Sequence, residues 1–213
     1  MRDQTDVYHV YRFSELPEEV QRKLIEDHQQ AAGELFDSAE WVYDDAATIA
    51  DLFGLDINTR TGKNGKGKIT YKPNVYWYGF WSQGDGACFE GNYHYKKGAL
   101  KAVKSYAVQD TTLHQIVKDL QEIQSRNFYQ LTASTVHRGH YYHSGCMSVD
   151  VKRQDYKEMT DDAEEAITQA LRDFADWIYN KLEESYNWDT SEENVRDYLE
   201  NDDAEYKING ERI

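Results

Sequence analysis

Cysteine is scarce in this chain. Only Cys88 and Cys146 occur among 213 residues, which excludes the cysteine-dense framework of small secreted domains and leaves room for one disulfide at most. Long apolar runs are missing too. No stretch approaches the ~20 residues that a membrane helix needs, and Met1-Arg2-Asp3-Gln4 opens without an apolar segment of signal-peptide length. The expected location is therefore the cytoplasm, with no membrane partner. Linear catalytic signatures are also absent. There is no nucleophile elbow, HExxH, CxxC pair, P-loop or dinucleotide fingerprint. No catalytic residue is assigned, and no cofactor is expected. An acid–base pair, however, would leave no such linear trace.

What is present is aromatic and acidic. Hydrophobic residues make up 39%, below the usual ~45–50% of globular chains. Aromatics reach 14%, with 17 Tyr and 5 Trp. Each buried ring removes about 150–250 Å² from water, so a core built on Tyr and Trp rather than Leu is expected. The formal net charge is −15. Between Asp155 and Glu205 stand 18 acidic and 4 basic residues, so nearly all of the imbalance lies there. Such a field repels nucleic acid and attracts basic surfaces.

Periodicity gives an order of elements. Val7 to Phe13 reads as a strand, and Ser14 to Pro17 as a helix start. Val20, Leu24, Ala31 and Leu35 mark a first helix. Ala39 to Phe53 is a second, stopped by Gly54. The lysine- and glycine-rich run Thr59–Lys68 reads as a flexible basic loop, whose Lys63, Lys66 and Lys68 offer a phosphate contact. Asn74–Ser82 and Ala87–Tyr95 form an aromatic hairpin around Gln83-Gly84-Asp85-Gly86. A helix opens at Asp110. Phe128–Val136 and Tyr141–Val151 form a second hairpin. Ala163 to Tyr186 is the longest helix, and Ser191 caps a short one through Leu199. This order predicts an α+β fold, a mostly antiparallel sheet of aromatic hairpins packed with several helices. One domain over residues 1–213 is expected, with an acidic helical part at 155–205.

Four constellations bear on chemistry. His137, His140, His143 and Cys146 are zinc-type ligands at regular spacing. A two-residue turn at Arg138-Gly139 sets His137 opposite His140. His143 then points to the other face, and Cys146 falls about 20 Å away along the strand. One tetrahedral site cannot use all four unless the strand breaks, so no metal is assigned and the imidazoles read as packing groups. The Gly-Asp-Gly turn is ordinary turn chemistry, or an anion cradle with Asp85 as a carboxylate. The rings from Tyr76 to Tyr95 line both faces of their hairpin, and one face needs a helix, a partner or a ligand to cover it. Trp81, Gln83, Asp85, His137, His140 and Tyr142 are the candidate ligand-binding set. The acidic helices offer a partner-binding face through Asp161, Asp162, Glu164, Glu165, Asp173, Asp176, Glu183, Glu184, Glu192 and Glu193. Their plainer meaning is a solvated surface.

Three segments carry a resemblance: Tyr78–Gly91 (YGFWSQGDGACFEG), Asn127–Leu131 (NFYQL) and His137–His143 (HRGHYYH), with Tyr11–Leu16 before them. The chain resembles a family of uncharacterised phage and prophage proteins, some labelled as the antitoxin of a toxin–antitoxin stability system. The resemblance spans nearly the whole chain, with Thr59–Lys72 standing as an insertion. It implies a mobile-element origin and a site of action in the host cytoplasm. The resulting expectation is a non-enzymatic inhibitor that binds a host protein with a basic surface: a nuclease, a CRISPR effector or a toxin. It acts in the manner of an anti-CRISPR, an anti-restriction protein or an antitoxin, in one version as an acidic DNA mimic. Direct binding of nucleic acid is not expected. The alternative is a small-ligand or nucleotide-binding protein, or an enzyme, built on the Gly-Asp-Gly turn and the histidine hairpin.

Overall fold

A computed structural model describes residues 9–36, 38–63 and 69–213. Helices and antiparallel strands are both present, as the α+β reading requires. The chain falls into two compact units. One holds the segments up to Ala39 and from Glu184 to Ile213, the other Glu40 to Glu183.

The central unit is built on a four-stranded antiparallel sheet. Its strands are β1 (Leu55–Ile57), β6 (Gly91–His94), β7 (Leu131–His137) and β8 (Met147–Arg153), in that order across the sheet. Alternation decides which side is core. Leu55, Tyr93, Ala133 and Val151 stand in one cross-strand row, and all four are buried. Two ribbons complete the β structure. β2 (Thr59–Lys63) pairs with β3 (Ile69–Pro73), and β4 (Val75–Tyr78) pairs with β5 (Gly86–Phe89). Part of the expected basic loop is thus paired strand, and residues 64–68, with Lys66 and Lys68, lie outside the described residues.

Helix α2 (Ala39–Phe53) ends at Gly54, whose φ of +90° an L side chain would resist. Helix α4 (Thr111–Arg126) starts at Asp110, which accepts from the Leu113 N–H at 3.0 Å. Helix α3 (Ala99–Tyr106) has no counterpart in the sequence reading. Helix α5 (Ala163–Asp189) buries nine residues, including Phe174, which meets Phe53 and Phe89 edge-on at 5.0 and 5.8 Å between ring centres. These contacts tie α5 to α2 and β5.

The terminal unit packs α1 (Glu18–Leu35) with α6 (Glu192–Asn201). Its core is Phe13, Leu16, Ile25, Val195, Leu199, Ala204 and Tyr206. A short 3-10 turn, Phe13–Glu15, replaces the helix start expected at Ser14; the Arg12 N–H donates to Glu15 Oε2 at 2.8 Å. The expected opening strand survives as a bridge between Tyr11 and Tyr206, and residues 7–8 of it lie outside the described residues.

The core differs from expectation. Among the described Tyr and Trp residues, only Tyr93, Trp177 and Tyr206 are buried, while Trp41, Tyr71, Tyr156 and Trp188 are exposed. Leu, Ile, Ala and Phe fill the interior instead. A phenol or indole needs a polar partner when it is buried, so most of these rings stay at the surface.

Candidate functional site

Seven residues, Gly79–Asp85, join β4 to β5, and they form a closed bend rather than a short hairpin turn. Asp85 closes it. Its Oδ2 accepts from the backbone N–H of Trp81 at 2.8 Å and of Ser82 at 2.6 Å. The space a Cβ would need at Gly79 is filled by that carboxylate, 2.5 Å away. Asp85 therefore acts as a loop clamp through Oδ2. The Tyr179 hydroxyl of α5 donates to the Gly79 carbonyl at 3.2 Å, and Phe80 lies 5.5 Å from the Tyr179 ring. The bend is thereby fixed to the longest helix.

The histidine segment packs on the same bend. A Cβ on Gly84 would lie 2.7 Å from the Tyr141 ring, and one on Gly86 2.6 Å from His143 Cα and Cβ. Glycine at both positions permits this approach. The β7–β8 register runs only to His137–Met147, so residues 138–146 form a loop that includes the 3-10 turn Ser144–Cys146. This corrects the two-residue turn at Arg138-Gly139. His137 does not face His140; its Nε2 donates to the Tyr141 carbonyl at 2.9 Å. The strand break places Cys146 in the 3-10 turn beside His143. Its Sγ lies 3.3 Å from His143 Nε2. Among the described residues, no three His, Cys, Asp or Glu side chains converge as a metal-ligand set.

Between bend and tip lies a cleft of about 300 Å³, lined by Tyr78, Gln83, Asp85, His140, Tyr141 and Tyr142 among others. Four residues of the sequence-based ligand set, Gln83, Asp85, His140 and Tyr142, are thus brought together. Trp81 stands on the bend but points outward, 77% exposed. His137 lies behind the cleft in a ring stack with Tyr76 and Tyr142, at 5.6 and 5.0 Å. Arg60 covers the outer face of Tyr76 at 5.2 Å. The candidate ligand set left out Tyr141 and Tyr78, the latter read only as one of the hairpin rings; they are 59% and 64% exposed, and alternation does not tell which ring an irregular loop uncovers.

Cys88, in β5 beneath this site, is fully buried, and burial pushes its thiol pKa up to about 12, with Cys146 and Glu90 adding to the shift. Both cysteines are free thiols.

The acidic residues fall in both units. Asp161, Asp162, Glu164 and Glu165 are exposed around the start of α5. The Asp162 carboxyl is held below its usual pKa by the Thr160 hydroxyl and then by Arg126, 2.7 Å away. Asp173 accepts from Gln169 at 2.7 Å, Asp176 is exposed, and Glu183 is half-buried. Glu184, Glu192 and Glu193 belong to the terminal unit, where Glu192 pairs with Arg196 at 3.0 Å. Glu164 and Glu165 in α5, like Glu192 and Glu193 in α6, sit in first helical turns. There they offset the positive end of the helix dipole. No helix among the described residues is long and apolar enough to cross a membrane.

Fold and site together define an α+β protein with a glycine-packed aromatic bend at its surface. Residues 39–192 match the family described as a domain of unknown function, DUF8835, and the chain belongs to that family. The match includes the whole bend and the histidine tip. No curated protein and no solved structure matches the chain.

Proposed function

We propose that this chain is a non-enzymatic binding protein of phage or prophage origin that inhibits a defence or toxin protein in the host cytoplasm. The aromatic bend is its anchor. One observation carries this reading: Tyr78 at the end of β4, Trp81 on the bend and Tyr141 on the adjoining histidine loop expose 64%, 77% and 59% of their surface, where Asp85 ties the bend and glycines let the two loops pack closely. Preorganised Tyr and Trp rings are the residues that dominate binding energy at protein interfaces. A cleft of about 300 Å³ beside them stands at the low end of small-ligand sites, and it suits one inserted side chain of a partner. Occupation of Asp85 by two backbone donors weighs against an acid–base enzyme.

The acidic helices then have a kinetic part. Their surplus charge attracts a partner with a basic surface and raises the encounter rate, while the rings set how long the complex lasts. The competing version is the acidic DNA mimic, in which the carboxylates themselves are the bound surface.

The test uses purified nucleases, CRISPR effectors and toxins as candidate partners, with binding kinetics recorded by surface resonance. For the one that binds, Trp81→Ala and Tyr141→Ala are expected to raise the dissociation rate about 30-fold each, the size of a hot-spot loss. Changing Glu164, Glu165 and Asp176 to amides lowers the association rate at low salt and leaves dissociation unchanged. The opposite pattern, binding abolished by the amide set and indifferent to Trp81→Ala, would establish the mimic and remove the bend.

A further inference from the structure

On a different part of the central unit, the chain reverses its charge. From Gly91 to Gln109 there is no Asp or Glu, and four lysines stand at Lys96, Lys97, Lys101 and Lys104. In a chain of net charge −15, this is a local cationic island. Lys96 is tied to Asp51 at 3.1 Å. Among the described residues, Lys97, Lys101 and Lys104 have no hydrogen-bond or ion-pair partner. Their spacing, i, i+4 and i+7, puts them on one side of α3 and its entry. They line a cleft of about 710 Å³, together with Tyr95, Ser105 and Gln121. That volume lies within the range of cofactor and ligand sites.

A second feature borders the same cleft. Tyr129 packs on Tyr95 with 4.4 Å between ring centres, and is itself 44% exposed. Its backbone is held against preference. Phe128 and Tyr129 have φ of +57° and +61° in succession, a left-handed conformation costing roughly 1–2 kcal/mol for each L residue. Two buried carboxamides enforce it. Asn127 bonds the Ile123 carbonyl and both the N–H and the hydroxyl of Thr160, and Gln124 bonds the Leu131 N–H and carbonyl. Strain retained by so much buried hydrogen bonding is a mark of functional surfaces. Here its product is a tyrosine pair beside three uncommitted ammonium groups.

We propose that this cleft binds a mononucleotide, its phosphates met by Lys97, Lys101 and Lys104 and its base lying against the Tyr95–Tyr129 pair. Ammonium groups with an aromatic wall recognise that combination of charge and π-surface. The ligand is small for an electrostatic reason. A long polyanion would meet the repulsive field of the whole molecule, whereas a mononucleotide lies within about one Debye length, ~8 Å at physiological salt, of the lysines.

The test is isothermal titration of the full chain with ATP, with pyrophosphate and with the oligonucleotide dT10, repeated on the Lys101→Glu/Lys104→Glu variant. Both lysines are solvent-exposed, and a thermal melt confirms that the variant is folded. The expected result is ATP binding in the micromolar to sub-millimolar range, weakened at least tenfold by the double reversal. Pyrophosphate should bind about tenfold more weakly than ATP, because it lacks the base. Absence of heat with millimolar ATP overturns the proposal, and so does ATP binding that ignores the double reversal. Equal affinity for pyrophosphate removes the tyrosine pair from the site. Tighter binding of dT10 than of ATP assigns the cleft to single-stranded nucleic acid and refutes the mononucleotide.

Discussion

Two turns in the central unit hold aromatic rings out into water, and they do it by opposite means. The bend Gly79–Gly86 follows local rules. Glycine occupies its positive-φ positions, Gly79 at +51° and Gly84 at +101°, and a single carboxylate ties its amides. The turn after α4 breaks those rules. Phe128 and Tyr129 take the conformation glycine would prefer, and the buried side chains of Gln124 and Asn127 hold them there. One shape is favoured by its own residues, and the other is imposed by its surroundings. Substitutions should therefore act differently at the two places: at the bend through space and turn chemistry, at the turn through the buried scaffold.

The largest effect is expected at Gln124. Gln124→Ala strips the Leu131 N–H and carbonyl of partners inside the core and opens a void. Buried unsatisfied groups cost about 1–3 kcal/mol each, so a loss of about 4 kcal/mol is expected in urea unfolding. A loss below 1 kcal/mol would mean that the turn holds itself, and the contrast would collapse. The same scaffold has a pH signature. Burial raises the Tyr93 hydroxyl to about 12 from 10.0, partly opposed by its hydrogen bond from Gln124. The unfolded chain gives up that proton first, so the stabilisation is complete below pH 10 and falls as pH rises towards 12. Tyr93→Phe should flatten the stability profile in that window. An unchanged alkaline slope would show that Tyr93 does not titrate with folding.

At the bend the largest expected effect is steric. Gly86→Ala sets a methyl 2.6 Å from His143 Cα and Cβ, and backbone rather than a flexible side chain must yield. About 3 kcal/mol of destabilisation is expected, with the histidine tip displaced in chemical-shift maps. Asp85→Ala comes next. It removes the acceptor of two N–H bonds in a half-exposed site, worth about 1–2 kcal/mol. Stability should change little more than that, while Trp81 emission broadens as the loop loosens. A variant as stable as the parent with unaltered Trp81 emission would show that the glycines alone define the bend.

This contrast explains what could be seen in the sequence. Gly54 as a helix stop, the span of α2 and the cap at Ser191 are local chemistry, and the structure has them where the residues put them, whereas the turn expected at Gln83–Gly86 widens to the bend Gly79–Asp85. The joining of the bend to the histidine segment was not legible. It rests on the absence of a Cβ at Gly84 and Gly86, a fact about a neighbour distant in sequence. The expected two-residue turn at Arg138-Gly139 failed for a related reason. His137 spends its ring nitrogen on the Tyr141 carbonyl and its N–H on Glu90 Oε1, at 2.9 and 3.3 Å, which stabilises a wider loop. Helix α3 escaped notice because its eight residues are too few for a helical period to stand out, although Ala99, Ala102, Val103 and Tyr106 keep that spacing. The Tyr-rich core expected from composition was wrong because composition counts rings without asking where their hydroxyls go.

The smallest effect discriminates most sharply between the two kinds of turn. Phe128 is 72% exposed, and its main contact is Arg153, 5.3 Å from the ring centre. Truncation to Ala loses that contact, about 0.5–1 kcal/mol, and keeps the left-handed strain. Truncation to Gly loses the same contact but releases about 1 kcal/mol of strain, offset in part by the greater freedom of glycine in the unfolded chain. Phe128→Gly should therefore be more stable than Phe128→Ala by about 0.5 kcal/mol, the reverse of the order found in helices and strands. Paired thermal melts measure the difference directly. If Ala proves equal or better, the backbone at Phe128 is not strained, and the buried carboxamides of Gln124 and Asn127 are ordinary packing rather than a clamp.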